Sequence, residues 1–138
     1  MPKYCIGIDL GGTSVKAALV DAKMAICARG KVPTPADGGA DAVIEAMAVA
    51  AEEAAAGQGA GADEMLGVGI GSPGPLDLEN GIVIGMPNIP GFERVPIRDR
   101  LAERLAMPAV LENDANAAAL GESLAGSGKG VRDMVLLT

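Results

Sequence analysis

Three short apolar segments, separated by tight turns, occupy the first 32 residues and constrain the fold more than any other feature. They span 3–10, 14–20 and 24–32, with Gly-Gly-Thr and Asp-Ala-Lys between them. Short apolar runs joined by connections this tight are typical of β-strands paired in an antiparallel meander. The chain is therefore expected to begin with three antiparallel strands.

The rest of the chain alternates between helical and strand patterns. An alanine-rich stretch at 40–56 carries apolar residues at helical spacing, and 65–71 is a continuous apolar run typical of a buried strand. Beyond it the sequence predicts a strand at 82–85, a helix at 96–106, a strand at 109–112, a helix at 114–125 and a strand at 133–138. Such alternation implies parallel strands with right-handed crossovers. The turn-rich segments 72–81 and 86–95 are expected to be loops.

The composition excludes several classes of protein. The 138 residues carry a net charge of −7 and no basic cluster, so binding to nucleic acid or a membrane surface is not expected. Histidine is absent, which excludes a histidine base or metal ligand within this chain. No run of 18 apolar residues predicts a transmembrane helix. The two cysteines, Cys5 and Cys27, lack metal-ligand spacing, which fits the reducing cytoplasm.

An acid and a glycine-rich turn follow the first predicted strand. Asp9 lies at the strand end, and Gly11, Gly12 and Thr13 form the turn. Two glycines allow the backbone to turn tightly with its N–H groups outward, which suits a phosphate, while the acid suits Mg²⁺ and its water. An ordinary hairpin explains the same residues, so this segment alone leaves both interpretations open.

Two other glycine-rich segments imitate nucleotide-binding motifs without their structural context. Residues 69–74 fit G-x-G-x-x-G, but a proline-rich loop follows where a dinucleotide site requires a helix. We interpret this segment as a loop at a strand end, in which Gly74 lets a ligand approach the backbone. Residues 126–130 resemble the end of a P-loop but follow a helix instead of preceding one, so we interpret them as a hinge or linker.

The strongest functional signal is a strand that ends in polar residues and opens directly into a small-residue helix. Asn113 and Asp114 lie at this junction. Open α/β sheets bind ligands outside the carboxyl ends of their strands. There Asn113 can accept from and donate to neighbouring hydroxyls, as a polyol requires, and Asp114 can take a proton from a hydroxyl nucleophile. The helix N-terminus favours the ionised carboxylate that a base requires. Taken alone, the pair is explained more simply as a helix N-cap.

Four segments taken together resemble the ROK family of repressors and sugar kinases, and within it the bacterial ATP-dependent glucokinases. They are the turn that begins at Asp9, GIGSPGPLD, PNIPGF and ENDANAAALGE, in this order and spacing. The resemblance covers essentially the whole chain. It implies an α/β fold, a ribonuclease-H-like lobe of the actin and hexokinase type, with a mixed five-stranded sheet flanked by helices.

The resemblance also implies a role for each candidate residue. Asp114 is expected to be the catalytic base that deprotonates the sugar 6-hydroxyl, and Asn113, Gly74 and Asn88 to bind the sugar with it. The residues expected to face the ATP phosphates and Mg²⁺ are Asp9, Gly11, Gly12, Thr13 and Lys16. Among them, Asp9 is expected to hold Mg²⁺ through water.

The chain departs from the family pattern near its end. It has no second glycine-rich phosphate loop, no Glu-Gly-His sugar motif and no cysteine-rich zinc site. We therefore expect 1–132 to be the N-terminal lobe of a sugar kinase, and 133–138 to be the first strand of a C-terminal lobe that would hold the zinc site.

The resemblance predicts a cytoplasmic, homodimeric kinase that converts glucose and ATP to glucose 6-phosphate in glycolysis. The isolated 138-residue chain is expected to be inactive, because half of the ATP site is absent. The repressor branch is not expected, because the phosphate motif begins within ten residues of Met1 and no helix-turn-helix precedes it. A non-catalytic sugar-binding or sensor half-protein, which completes its site by association, remains the alternative.

Overall fold

The first three strands form the predicted antiparallel meander. In the computed structural model, which describes residues 1–138, β1 spans Tyr4–Leu10, β2 spans Ser14–Asp21 and β3 spans Ile26–Pro33. β1 pairs antiparallel with β2, and β2 pairs antiparallel with β3. The prediction for this part of the chain is confirmed.

A long helix then returns the chain to the other edge of β1. α1 spans Gly39–Gln58 and β4 spans Met65–Ser72, each preceded by one turn of 3-10 helix, at Ala36–Gly38 and Ala62–Glu64. β4 pairs parallel with β1. Parallel pairing after an intervening helix is the arrangement that the alternating pattern predicted.

A small second sheet follows β4. It consists of β5 at Leu76–Asp77, β6 at Ile82–Gly85 and β7 at Glu93–Val95, paired antiparallel in this order. Only the middle strand was predicted, and the segments on both sides were expected to be loops. The two outer strands are too short to show the alternation from which a strand is recognised.

The last helices and strand complete the main sheet. α2 spans Ile97–Leu105, β8 spans Ala109–Asn113 and α3 spans Asp114–Ala125. β8 pairs parallel with β4, which gives a mixed five-stranded sheet in the order β3-β2-β1-β4-β8. The predicted fold class is therefore confirmed. None of the helices is both long and apolar enough to cross a lipid bilayer.

One face of the main sheet packs against α1 and forms most of the core. Ile8 and Leu10 of β1 are buried beside Ala17 and Val15 of β2, their partners in register. The helix lies close to the sheet because five of its eight buried residues are alanines. At Gly30 of β3 a Cβ would lie 2.1 Å from a backbone oxygen of α1, so only glycine permits this approach.

The prediction of a strand at 133–138 is wrong. No residue after 130 adopts helix or strand, and Val135 and Leu137 are 84% and 90% exposed. The apolar pattern of this segment is typical of a strand, but a strand forms only with a hydrogen-bonding partner, and neither sheet pairs with it. The division into a lobe at 1–132 and part of another lobe at 133–138 stays a prediction.

Candidate functional site

The candidate residues converge at one edge of the main sheet, where its three parallel strands end. Asp9 of β1 lies beside Gly71 of β4 in register, and Gly71 lies beside Glu112 of β8. A Cβ built on Gly71 would lie 3.5 Å from the Cα of Asp114, so the start of α3 rests on this glycine. The two acids with predicted roles, Asp9 and Asp114, therefore flank the same position of β4.

The turn after β1 leaves two backbone N–H groups without an acceptor. The N–H of Gly11 donates to the carbonyl oxygen of Ser14 at 3.1 Å and closes the turn. Gly12 and Thr13 are exposed, and their N–H groups donate no hydrogen bond within the chain. Adjacent free N–H groups are what a backbone phosphate site requires, so the turn has the predicted properties of one.

Thr34 holds this turn in place, although nothing in the sequence singled it out. Its hydroxyl donates to the carbonyl oxygen of Gly11 at 2.7 Å, and its N–H donates to that of Thr13 at 2.9 Å. Thr34 thus engages the carbonyl oxygens of Gly11 and Thr13, while the N–H groups of Gly12 and Thr13 stay free. A threonine just after a strand carries no signal of this contact, which arises only because β3 pairs with β2.

The two glycines of the turn differ in whether the fold requires them. A Cβ on Gly11 would lie 2.6 Å from the backbone oxygen of Ser14, so the fold itself requires glycine there. A Cβ on Gly12 would have nothing within 4 Å. The fold leaves room for a side chain at Gly12, and only a ligand would exclude one.

A cleft of about 100 Å³ joins the turn to the small sheet. Its lining residues come from the turn, the loop after β4 and the loop after β6: Gly12, Pro73, Gly74, Met86, Pro87, Asn88 and Ile89. Gly12 has a predicted phosphate role, and Gly74 and Asn88 have predicted sugar roles, so the structure brings the two groups together. Asp9, Asn113 and Asp114 lie outside this lining.

Asn113 caps α3, as its simpler interpretation predicted. Its Oδ1 accepts the N–H of Asn116 at 3.1 Å. Its Nδ2 faces the loop after β4, because a Cβ on Gly74 would lie 4.0 Å from that nitrogen. The cap therefore engages Oδ1 alone, and a ligand bound at Nδ2 would not compete with it.

The carboxylate of Asp114 has one oxygen engaged and one available. Oδ1 accepts the N–H of Ala115 at 2.8 Å, whereas Oδ2 has no partner in the chain. The residue is half-buried at the first turn of α3. An oriented carboxylate with a free oxygen is able to accept a proton from a hydroxyl group placed beside it.

Asp9 and Lys16 lie opposite each other on the sheet face that is turned away from α1. They are partners in the antiparallel register of β1 and β2, both are exposed, and they form no ion pair. No three potential metal ligands cluster anywhere in the chain. A single free carboxylate nevertheless suits Mg²⁺, which keeps several waters and binds few protein groups. Like Asp9, Lys16 is a predicted site residue that does not line the cleft.

Ion pairs outside the site fix α2, the helix that leads into β8, against α1. The guanidinium of Arg104 donates to Glu45 at 2.8 Å and to Glu52 at 2.9 Å, and Arg100 pairs with Asp41. The hydrogen bond from Arg104 lowers the pKa of Glu45 below its ordinary value of 4.5. Because α2 precedes β8, these pairs help to position the strand that carries Asn113.

The sequence matches the ROK family over residues 5–138. This chain belongs to the ROK family. It is 42% identical to a glucokinase of Thermotoga maritima over 139 residues, which cover 100% of this chain and 42% of that protein. The resemblance that the four segments indicated is confirmed.

Solved structures agree with this assignment. A ROK hexokinase from Thermus thermophilus superposes with a TM-score of 0.80 at 42% identity, over 91% of this chain and 40% of that one. A ROK glucokinase from Streptomyces griseus, crystallised with glucose and AMPPNP, gives 0.81 at 37% identity, over 92% of this chain and 38% of that one. The chain thus spans about 40% of the length of these relatives.

Proposed function

We propose that this ROK chain is the N-terminal lobe of an ATP-dependent hexose kinase, with glucose as the substrate. The observation that carries the proposal is the cleft shared by Gly12, Gly74 and Asn88, beside the junction of β8 and α3. Two relatives support the proposal. One is the glucokinase of Thermotoga maritima, and the other is the Streptomyces griseus glucokinase crystallised with glucose and AMPPNP. In the full-length protein this lobe supplies the base, the sugar loops and the first phosphate turn.

In this mechanism Asp114 is the catalytic base. Its free Oδ2 takes the proton of the sugar 6-hydroxyl as that oxygen bonds to the γ-phosphorus of ATP, and the bond from phosphorus to the ADP oxygen breaks. Asn113 donates from Nδ2 to a sugar oxygen, and the loops with Gly74 and Asn88 hold the ring. Phosphoryl transfer depends mainly on such positioning and on charge neutralisation, so no covalent enzyme intermediate is needed.

The phosphate side of the mechanism rests on the turn after β1. The N–H groups of Gly12 and Thr13 bind phosphate oxygens, and Thr34 keeps the turn in the required shape. Asp9 is the residue that would hold Mg²⁺ through water, and Lys16 adds positive charge nearby. Mg²⁺ supplies neutralisation of the phosphate charge. The remaining phosphate and adenosine contacts belong to a second lobe, so the isolated chain is proposed to have no kinase activity.

The setting of the full-length protein follows from the same proposal. Two cysteines without a disulfide between them support a reducing, cytoplasmic location. From the family resemblance we also propose that the full-length protein is a homodimer that acts in glycolysis. Its zinc site would lie in the second lobe.

The experiment uses a chimera, in which this chain is followed by the part of the Thermotoga maritima glucokinase beyond the aligned region. Asp114→Asn is expected to lower kcat for glucose phosphorylation by about 10³-fold, the usual scale for loss of a general base. Its glucose Kd should stay within a few-fold of the parent's, because the amide still hydrogen bonds. Asp99→Asn is the matched control, since Asp99 also lies in the first turn of a helix but away from the cleft.

Two results would contradict the proposal in different ways. Full turnover by the Asp114→Asn chimera would show that another group is the base. A folded chimera that binds glucose but phosphorylates none would favour the sugar-binding or sensor alternative.

A further inference from the structure

The outer face of the meander, turned away from α1, carries three cations close to the phosphate turn. They are Lys16 of β2 and, on β3, Lys31 and Arg29. Lys16 lies directly opposite Lys31 in the antiparallel register, and Ala18 lies opposite Arg29. Gly30, between the two β3 cations, faces α1, and all three cations are exposed. Pairing of β2 with β3 thus gathers on one surface charges that are separated in the sequence.

None of these cations is neutralised within the chain. They take part in none of its ion pairs. The only acidic residue of β1, β2 and β3 on this face is Asp9, which lies opposite Lys16 without pairing with it. Arg29 has Ala18 and then Gly7 as its neighbours across the sheet, and neither carries a charge. The chain has a net charge of −7, so acids are plentiful elsewhere and scarce here.

The lysine pair does not help the sheet to form. The Cβ atoms of directly opposed residues lie about 5 Å apart, and like charges at such positions are destabilising. Because both side chains are exposed, an acid or a neutral residue at either position would remove this repulsion without disturbing the core. Two opposed lysines are stabilised when an anion binds between them, so the pair points to a ligand and not to the fold.

The position of the pair points to the kind of anion. Lys16 is three residues after Thr13, and Lys31 is three residues before Thr34, whose N–H donates to the carbonyl oxygen of Thr13 at 2.9 Å. Both lysines therefore lie at the same level, about 10 Å of strand from the turn, and Arg29 lies about 7 Å further along β3. Cations at increasing distance from a phosphate turn suit a linear chain of phosphates that begins at the turn.

We propose that Lys16, Lys31 and Arg29 form a strip that binds a linear phosphate chain, whose first phosphate occupies the turn at Gly12. The proposal rests on the proposed function in taking that turn to hold a phosphate. Lysine binds a phosphate as a point charge, and the arginine guanidinium can donate to one through two parallel hydrogen bonds. Two ligands share this chemistry, the triphosphate of a nucleotide and inorganic polyphosphate.

The first experiment measures the binding of inorganic tripolyphosphate to the 138-residue chain by calorimetry. Lys31→Gln is expected to weaken binding about fivefold, the effect of losing one exposed ionic contact. Lys23→Gln is the matched control, since Lys23 is an exposed lysine in the turn at the other end of the same two strands, and it should bind as the parent does. Added NaCl should weaken binding less steeply in Lys31→Gln than in the parent, because one fewer charge is screened.

Chain length distinguishes the two ligands. If the strip serves a nucleotide, Lys31→Gln should weaken ATP and tripolyphosphate alike, and Arg29→Gln should weaken neither, because a triphosphate ends before Arg29. If the strip serves inorganic polyphosphate, a longer linear polyphosphate should bind the parent more tightly than tripolyphosphate does, and Arg29→Gln should remove that advantage. Either pattern supports the strip and assigns its ligand.

Three results would overturn the strip. They are no binding of tripolyphosphate by the parent chain, equal affinities in Lys31→Gln and Lys23→Gln, and a loss in Lys31→Arg as large as that in Lys31→Gln, since Lys31→Arg keeps the charge. Failure of the proposed function is seen separately, in a folded chimera that phosphorylates no glucose. The binding of tripolyphosphate by the 138-residue chain would decide the strip in that case as well.

Discussion

The adjacent glycines of the phosphate turn are expected to respond to alanine in opposite ways. Gly11→Ala places a methyl group 2.6 Å from the backbone oxygen of Ser14, well inside van der Waals contact. That oxygen also accepts the N–H of Gly11, so relief of the clash breaks the bond that closes the turn. Gly12→Ala meets no atom within 4 Å and requires no left-handed backbone.

The magnitudes follow from these contacts. For Gly11→Ala, a lost turn hydrogen bond and the backbone strain outweigh the entropic gain of replacing glycine, for a net loss of about 2 kcal/mol of unfolding free energy. For Gly12→Ala only the entropic gain remains, and we expect the same stability or an increase of up to about 1 kcal/mol. Gly12 nevertheless lines the cleft, so a methyl group there is expected to crowd a bound phosphate, and we expect ATP affinity to fall about tenfold.

The assay combines unfolding with binding. Urea unfolding is followed by far-UV circular dichroism, because the chain has no tryptophan and one tyrosine. ATP binding to the chimera is measured by calorimetry with Mg²⁺ present. Equal losses of stability in the two variants would refute the structural distinction between the glycines. Unchanged ATP affinity in Gly12→Ala would refute the assignment of this turn to the phosphates.

Two further predictions concern residues that support the site. Thr34→Val removes the hydroxyl that donates to Gly11, and it should cost about 1 kcal/mol in urea unfolding and weaken ATP binding to the chimera several-fold; unchanged ATP affinity would mean that the turn keeps its shape without this tether. The hydrogen bond from Arg104 lowers the pKa of Glu45, and Arg104→Ala removes it. The ionised Glu45 therefore stabilises the fold through this pair above pH 4.5, and the stabilisation is lost as the pH falls through the lowered pKa. The stability difference between parent and Arg104→Ala in urea unfolding should shrink below pH 4.5, and a constant difference would contradict this role.

The elements that local patterns specify could be predicted from the sequence. The meander could be recognised because its turns and apolar runs are contiguous, and the parallel strands because helices separate them. The junction at Asn113 and Asp114 was identified because strand, polar pair and helix follow one another directly. The helix cap is confirmed, because Oδ1 of Asn113 accepts the N–H of Asn116. Ligand binding by Asn113 stays a prediction, and its Nδ2 faces the loop at Gly74.

Features that depend on tertiary pairing could not be predicted. Thr34 reaches the phosphate turn only because β3 pairs with β2, a contact across more than twenty residues. Glu112 accepts hydrogen bonds from the backbone N–H of Asn113 and the side chain of Asn116, and these bonds depend on side-chain rotamers that the sequence does not specify. For the segment 133–138 the sequence predicted a strand that does not form. Its apolar pattern is typical of a strand, but no partner strand is present to pair with it.

The central claim is that sugar and phosphate sites meet at the ends of β1, β4 and β8. NMR titration of the chimera, first with glucose and then with ATP and Mg²⁺, tests this most directly. We expect glucose to shift the amide resonances of Gly74, Asn88 and Asn113, and ATP to shift those of Gly12 and Thr13. Shifts confined to other parts of the chain, or none at saturating ligand, would contradict the claim.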